Sequence, residues 1–179
     1  MIDLGLPSGT KWACCNVGAD KPEAYGGYYA WGETETKGTY DWKTYIHCDG
    51  SKETCHDIGS DIAGTKYDVA HVKWGGSWVM PSLDQSKELL DNCKNTWTSV
   101  NGKKGRKFTG KNGRSIFLPA AGYRWGDGLG SAGSYGYYWS STQLPSDSYF
   151  AYSLSFDSDG AYWSGYYRNY GHPVRPVSK

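Results

Sequence analysis

A chain of 179 residues with a formal net charge of +1 is long enough to bury one sizeable core, and it carries no field that would draw in nucleic acid or an anionic membrane. Only 38% of the residues are hydrophobic while 16% are aromatic, so burial must rest on nine Trp and sixteen Tyr more than on aliphatics. No stretch has the length and apolarity of a bilayer-spanning helix, and twenty-five Gly with seven Pro imply many turns and loops.

The opening Met1-Ile2-Asp3-Leu4-Gly5-Leu6 lacks the basic start and apolar run of a signal peptide and reads as a domain boundary, with any export signal lying outside it. Thr10 to Val17 predicts a strand with Trp12 as a core anchor. Lys21 to Tyr25 predicts a short helical turn with Pro22 at its start, ended by Gly26-Gly27. Tyr28 to Trp31 predicts a second short strand. From Gly32 to Asp68 the pattern dissolves into polar, Gly- and Thr-rich sequence with aromatics at Tyr40, Trp42 and Tyr45, a long loop region of the kind that is functional or variable. A helix follows Ser82, which is set as N-cap with Gln85 closing a capping box and Asp84 at the positive end of the dipole. Leu83, Leu89, Leu90 and Cys93 form its apolar stripe, and it should stop near Lys94. Short strands are expected at Thr96 to Ser99, Arg106 to Thr109 and Ser115 to Leu118, with hairpin signals at Asn101-Gly102 and Asn112-Gly113. After Pro119 come strands at Tyr137 to Ser141, Phe150 to Phe156, Ala161 to Tyr167 and Val174 to Val177. In Phe150 to Phe156, Tyr152, Leu154 and Phe156 share one face and Ala151, Ser153 and Ser155 the other. The class is α+β with little helix, in a single domain spanning 1–179.

The five Cys cannot all pair within one chain. His47-Cys48 and Cys55-His56 bracket the polar segment Asp49 to Thr54, which is compatible with a loop disulfide, with free thiols, or with a zinc site of awkward geometry. Cys14 and Cys15 are neighbours and would face opposite sides of a strand.

The tail has a paratope's composition. Between Tyr135 and His172 there are nine Tyr and eight Ser, and from Asn112 to Ser178 there is no Lys, Glu or Met, although the first 111 residues carry thirteen Lys and five Glu. Tyr gives a large, rigid, amphipathic contact at low entropic cost, and Ser, Gly and Asn adapt their hydrogen bonding. Binding surfaces are also depleted in Lys and Glu. An aromatic-rich sheet core is the competing reading, since Tyr and Trp favour strands; but a core would prefer Val, Ile and Leu to so many hydroxyls.

Several strings resemble one known family. Asp3-Leu4-Gly5-Leu6-Pro7-Ser8-Gly9-Thr10-Lys11-Trp12-Ala13, Asn16-Val17-Gly18-Ala19 and Tyr29-Ala30-Trp31-Gly32-Glu33-Thr34 resemble the opening of the Fibrobacter succinogenes major paralogous domain. Ala70-His71-Val72-Lys73-Trp74-Gly75-Gly76-Ser77-Trp78-Val79-Met80-Pro81-Ser82 and Glu88-Leu89-Leu90 resemble its centre. Ile116-Phe117-Leu118-Pro119-Ala120-Ala121-Gly122-Tyr123-Arg124, Tyr138-Trp139-Ser140-Ser141 and Val174-Arg175-Pro176-Val177 resemble its end. The resemblance runs in order over nearly the whole chain, and the family is widespread among surface proteins of gut Bacteroidetes and their phages. It implies a C-type lectin-like fold in the variant shared with formylglycine-generating enzymes and with the variable proteins of diversity-generating retroelements, with few helices, small antiparallel sheets and many loops. In those variable proteins a C-terminal segment is diversified at template adenines, mostly in AAC codons. Codons of the form NNC cannot encode Lys, Glu, Met, Gln or Trp, and within 135–172 the only Gln and Trp are Gln143, Trp139 and Trp163. These three are expected to be scaffold or invariant.

Chemistry has fewer residues to stand on. Formylglycine-generating enzymes use cysteine thiolates near the end of the chain, and no Cys follows Cys93. No nucleophile elbow, zinc-protease helix or phosphate-cradling loop is present. His71 is expected to be a hydrogen-bonded scaffold residue, and Asp157-Ser158-Asp159-Gly160 a hairpin turn. The Glu-Pro-Asn and Trp-Asn-Asp strings of calcium-dependent lectins are missing, which leaves calcium-independent glycan stacking as the second reading. The expected function is a non-catalytic binding module without a cofactor, displayed at a cell or virion surface. It would recognise a protein or glycan on another surface, with no nucleic acid and no membrane insertion. Trp12, Trp31, Trp74, Trp78 and Trp139 hold the scaffold. Tyr135, Tyr149, Tyr152, Asp157, Asp159, Tyr162, Tyr166, Asn169, Tyr170 and His172, within the segment 135–172, are the candidate ligand contacts. Arg168 and Arg175 either tie the last strands down or touch ligand.

Overall fold

The computed structural model describes all 179 residues. The chain starts with β1 (Ile2–Asp3) antiparallel to β2 (Lys11–Trp12), where Ile2 faces Trp12. The strand expected over Thr10 to Val17 is only two residues long as regular structure. Beyond it the carbonyls of Ala13 and Cys14 turn to the buried Arg175 guanidinium at 3.3 and 3.1 Å instead of a partner strand. The expected turn at Lys21 to Tyr25 is not helical, and Tyr28 to Trp31 contributes a single bridge, Tyr29 to His172. The long loop to Asp68 is as expected, broken by one 3-10 turn at Lys52–Thr54. In it Cys48 and Cys55 form a disulfide, so of the three states open to that pair the sulfurs occupy the bonded one.

Sequence periodicity did not reveal the six-residue helix α1 (Val69–Trp74). It is created by Asp68, whose fully buried carboxylate accepts backbone N–H groups from Gly64, Ala70, His71 and Met80 at 2.8, 2.9, 3.1 and 3.0 Å. Two of those donors are the orphans of the helix start; the other two come from flanking segments, so one side chain caps the helix and staples its surroundings. Helix α2 (Leu83–Asn92) has the expected capping box between Ser82 and Gln85.

The strands β3 (Lys94–Val100), β4 (Lys103–Thr109) and β5 (Ser115–Pro119) form an antiparallel sheet in that order. Its first turn puts Asn101 and Gly102 at φ +47 and +79, the left-handed pair that Asn-Gly supplies at low cost. A hairpin missed in the sequence follows, β6 (Tyr123–Trp125) with β7 (Gly128–Gly130). The third sheet holds β8 (Gly136–Gln143), β9 (Phe150–Phe156) and β10 (Ala161–Tyr167), with β9 central. The chain ends in β11 (Val177–Ser178), which pairs with β2 and so closes the terminal sheet. All named strand pairs are antiparallel, and the architecture is α+β with small sheets and little helix. No helix is long and apolar enough to cross a membrane.

The main core lies between the β3–β5 sheet, α2 and one face of the β8–β10 sheet, with Trp12, Leu89, Phe108, Leu118, Tyr138, Leu154 and Phe156 buried together. A second cluster joins Trp31, Ile62, Val69, Met80, Trp139 and Val174. Trp12, Trp31 and Trp139 are fully buried, while Trp74 and Trp78 are half-buried and meet edge to face at 5.2 Å. The alternation in β9 holds, but its small-polar face is not solvated: Ala151, Ser153 and Ser155 are as buried as Leu154 and Phe156. Their small size makes room for the rings that cover them.

Candidate functional site

Register decides which tail tyrosines stand together. Tyr137 pairs with Ser155, which pairs with Tyr162; Trp139 pairs with Ser153, which pairs with Ser164; Ala151 pairs with Tyr166. Cross-strand partners share a face, so Tyr137, Tyr162 and Tyr166 project from the two outer strands over a central strand of small residues. The result is a trough with aromatic walls. The opposite face of the same sheet, carrying Tyr138, Leu154 and Phe156, packs into the main core.

One end of the trough deepens into a well of about 100 Å³ lined by Tyr123, Tyr137, Tyr166, Tyr170 and His172. Tyr123 meets Tyr137 at 5.3 Å and 79°, and Tyr137 meets Tyr166 at 5.1 Å and 76°. His172 lies nearly parallel to Trp139 at 4.0 Å and pairs Nδ1 with the Ser153 hydroxyl at 2.8 Å. Its Nε2 is buried without a partner. Burial drives the His172 imidazole down to about 3, so it is neutral at physiological pH. Burial likewise raises Tyr137, Tyr166 and Tyr170 above the ordinary phenol value, which keeps these hydroxyls protonated.

Beside the well runs a groove of about 280 Å³ lined by Tyr135, Asp157, Asp159, Trp97 and Lys104 among others. Tyr135 stacks on Tyr137 at 6.1 Å and 14°, which sets the groove next to the well. The expected hairpin turn is present: Asp157 Oδ1 accepts the backbone N–H groups of Asp159 and Gly160 at 2.8 and 3.1 Å. Buried Arg106 on β4 fixes it from below by donating to the carbonyls of Asp157 and Ser158 at 3.0 and 3.2 Å.

Tyr135, Asp157, Asp159, Tyr162, Tyr166 and Tyr170 therefore belong to one surface, with Tyr162 at 41% exposure its most open tyrosine. Four expected contacts require correction. Asn169 is 2% exposed because the chain dives inward after β10, and its amide donates to the Tyr40 carbonyl. His172 has 0% exposure, since its backbone bridges Tyr29 and its ring is clamped on Trp139; it is the floor of the well, not a displayed side chain. Tyr152 lies on the core-side face, edge-on to Trp163 at 5.6 Å. Tyr149 sits in a separate aromatic group with Phe150 and Tyr167, under the Lys52 ammonium.

Arg168 and Arg175 are both fully buried and tie the tail down. Arg168 donates to Tyr45 Oη, His56 O and Ser148 O, and Arg175 to Asn16 Oδ1 and four backbone carbonyls. Trp163, expected as scaffold or invariant, is exposed and lies beneath the Lys87 ammonium of α2 at 4.6 Å. His71 is half-buried and its ring Nδ1 has no hydrogen-bond partner. Cys14 is exposed and Cys15 buried, and burial with the adjacent Cys14 pushes the Cys15 thiol up to about 11.

Tyr123 and Tyr137 were not among the residues expected from the sequence. Tyr137 was legible in principle, because Tyr135, Tyr137 and Trp139 alternate. Tyr123 lies outside the Tyr-rich segment and joins it through the bridges of Gly122 to Gly136 and Arg124 to Gly171. The largest cleft, about 470 Å³, lies elsewhere, by the start of α2. It is the weaker candidate because much of its polar lining is already used: Glu88 accepts both the Ser8 N–H and the Ser8 hydroxyl, and Ser82 and Gln85 cap the helix.

Fold and site together define an α+β domain that carries a cluster of half-exposed tyrosines over a buried, hydrogen-bonded layer. The chain belongs to the family described as a domain of unknown function, DUF8237, whose profile matches residues 85–177. That match opens within α2 and ends at β11, so it spans the whole tyrosine surface. No curated protein and no solved structure matches the chain.

Proposed function

We propose that this chain is a non-catalytic ligand-binding module with a C-type lectin-like fold, an adhesin or receptor-recognition domain similar to the variable proteins of diversity-generating retroelements. The observation that carries this reading is the separation of two layers within one stretch of sequence. Arg168, Trp139 and His172 are fully buried, whereas Tyr135, Tyr162 and Asp159, from the same 135–172 segment, are exposed. Side chains on such a frame are free to change identity without disturbing what lies beneath them, and rigid aromatics supply hot spots. The ligand is a protein or glycan on another cell or particle. The Cys48–Cys55 disulfide agrees with an extracellular setting, where such bonds persist.

Sequencing the locus from several isolates tests the diversification part: changes should cluster at Tyr135, Asp157, Asp159, Tyr162, Tyr166 and Tyr170, with Gln143, Trp139 and Trp163 constant. Variation spread evenly along the chain would remove it. Selection from a library of bacterial surface proteins tests the binding part, with loss on Tyr162→Ala plus Asp159→Ala as the expected result.

Calcium-independent glycan binding is the second reading. It is favoured by Trp125, 62% exposed, which shares a face of the β6–β7 hairpin with Tyr123, Gly128 and Gly130 beside a shallow hollow of about 170 Å³, an aromatic surface on which a sugar ring can stack. A glycan array read with and without Trp125→Ala separates the two.

A further inference from the structure

We propose that the well formed by Tyr123, Tyr137, Tyr166, Tyr170 and His172 is a cage for a trimethylammonium group, so that the ligand of this surface bears a quaternary ammonium head. The inference rests on the reading of this face as a binding surface and names the chemistry of one subsite in it. The walls come from β6, β8, β10 and the segment after β10, and neighbouring rings stand close to perpendicular, at 79° for Tyr123 with Tyr137 and 76° for Tyr137 with Tyr166. A cation seated in the angle between such rings lies within roughly 6 Å of both centroids, the reach of a cation–π attraction.

Size and polarity narrow the guest. A volume of about 100 Å³ is several times the roughly 10–15 Å³ that one water needs, so the well admits a compact group. The lining offers π faces, phenol oxygens and one unpartnered imidazole nitrogen, His172 Nε2. A bare ammonium is strongly hydrated and would exchange its water shell for only the phenol oxygens and that one nitrogen. A trimethylammonium group has no donors to satisfy and keeps its charge. Nothing cationic lines the well, and the floor imidazole is neutral. The buried Arg168 and Arg175 spend their guanidiniums on backbone carbonyls and on the side chains of Tyr45 and Asn16. In the adjoining groove the carboxylates of Asp157 and Asp159 are matched by the ammonium of Lys104 and the Arg106 guanidinium beneath the turn, so the selection of a cation rests on the rings of the well.

The test is a titration of the intact chain, by calorimetry and by NMR of the Tyr ring signals, with tetramethylammonium, choline, phosphocholine and Nε-trimethyl-lysine. The neutral isostere 3,3-dimethylbutan-1-ol serves as control. Saturable binding of the cations with the isostere at least about tenfold weaker is expected, as is about tenfold loss on Tyr166→Ala and retention on Tyr166→Phe, since the ring face and not the hydroxyl is the contact. Tyr149→Ala, outside the cage, should leave binding unchanged. The ranking of choline, phosphocholine and trimethyl-lysine identifies the source of the head group. Equal binding of the isostere, or no saturable binding of any of the cations to the unsubstituted chain, overturns the cage. Because the unsubstituted chain is titrated first, the cage stands or falls on that result even where a variant fails to fold. If the cations fail while a selected protein ligand still loses affinity on Tyr162→Ala plus Asp159→Ala, the cage is wrong and the binding surface stands. If that double variant also has no effect, both are wrong.

Discussion

Arg168→Met separates frame from display more sharply than any other single change. Met keeps an apolar stem and removes the guanidinium, which lies 4.9 Å from the Trp31 ring and donates to Tyr45 Oη at 2.9 Å, Ser148 O at 2.6 Å and His56 O at 3.2 Å. The Tyr45 hydroxyl loses its donor in the interior, at about 1–3 kcal/mol, and the part-buried carbonyls of Ser148 and His56 lose a charged donor at a smaller cost. Release from the desolvation cost of a buried cation offsets part of that, which leaves a net loss of about 2–4 kcal/mol. That is a large share of a stability on the order of 5–15 kcal/mol. Six residues earlier, Tyr162→Ser removes a ring that is 41% exposed and should cost no more than about 1 kcal/mol. Equilibrium urea unfolding, followed by Trp fluorescence and far-UV circular dichroism, measures both, with the slope expected to stay constant. A loss under about 1 kcal/mol for Arg168→Met, or a Tyr162→Ser loss of equal size, would refute the division into buried frame and displayed face.

The Cys48–Cys55 bond closes a loop with a sequence separation of 7, for which chain entropy gives about 2.5 kcal/mol; a reductant should lower the urea midpoint of the native chain and leave the Cys48→Ser, Cys55→Ser double variant unmoved. His172 gives a pH signature. Its folded-state value of about 3 lies below the unfolded value of about 6.5, so the unfolded chain binds a proton the folded one refuses. Its contribution is complete above about pH 6.5 and is lost on acidification toward about 3, by up to about 1.4 kcal/mol per pH unit. His172→Phe keeps a ring on Trp139 and should flatten that slope; identical pH–stability slopes for the two proteins would show that the imidazole is not held neutral.

Local rules made much of this protein legible from its residues alone. The capping box at Ser82 and Gln85, the Asn101-Gly102 turn and the strands Phe150 to Phe156 and Ala161 to Tyr167 each depend on neighbours within a few positions, and each is present. The tail's composition likewise marked out the segment from which most of the tyrosine surface is built. Tertiary structure decided the rest, because the deciding contacts join positions far apart in sequence. Asp68 caps α1 locally, but the same carboxylate also holds the Met80 N–H twelve positions on, which ties the helix start to the next segment. Cross-strand register put Tyr162 and Tyr166 on one face and Tyr152 on the other, a choice that alternation within one strand cannot make. His172 and Asn169 share the paratope-like composition of their neighbours, yet the return of the chain to Tyr29 and Tyr40 buries them, while the same return brings Tyr123 into a well with residues more than ten positions away. Composition states which side chains suit a surface; only the packing of distant segments states which of them reach it.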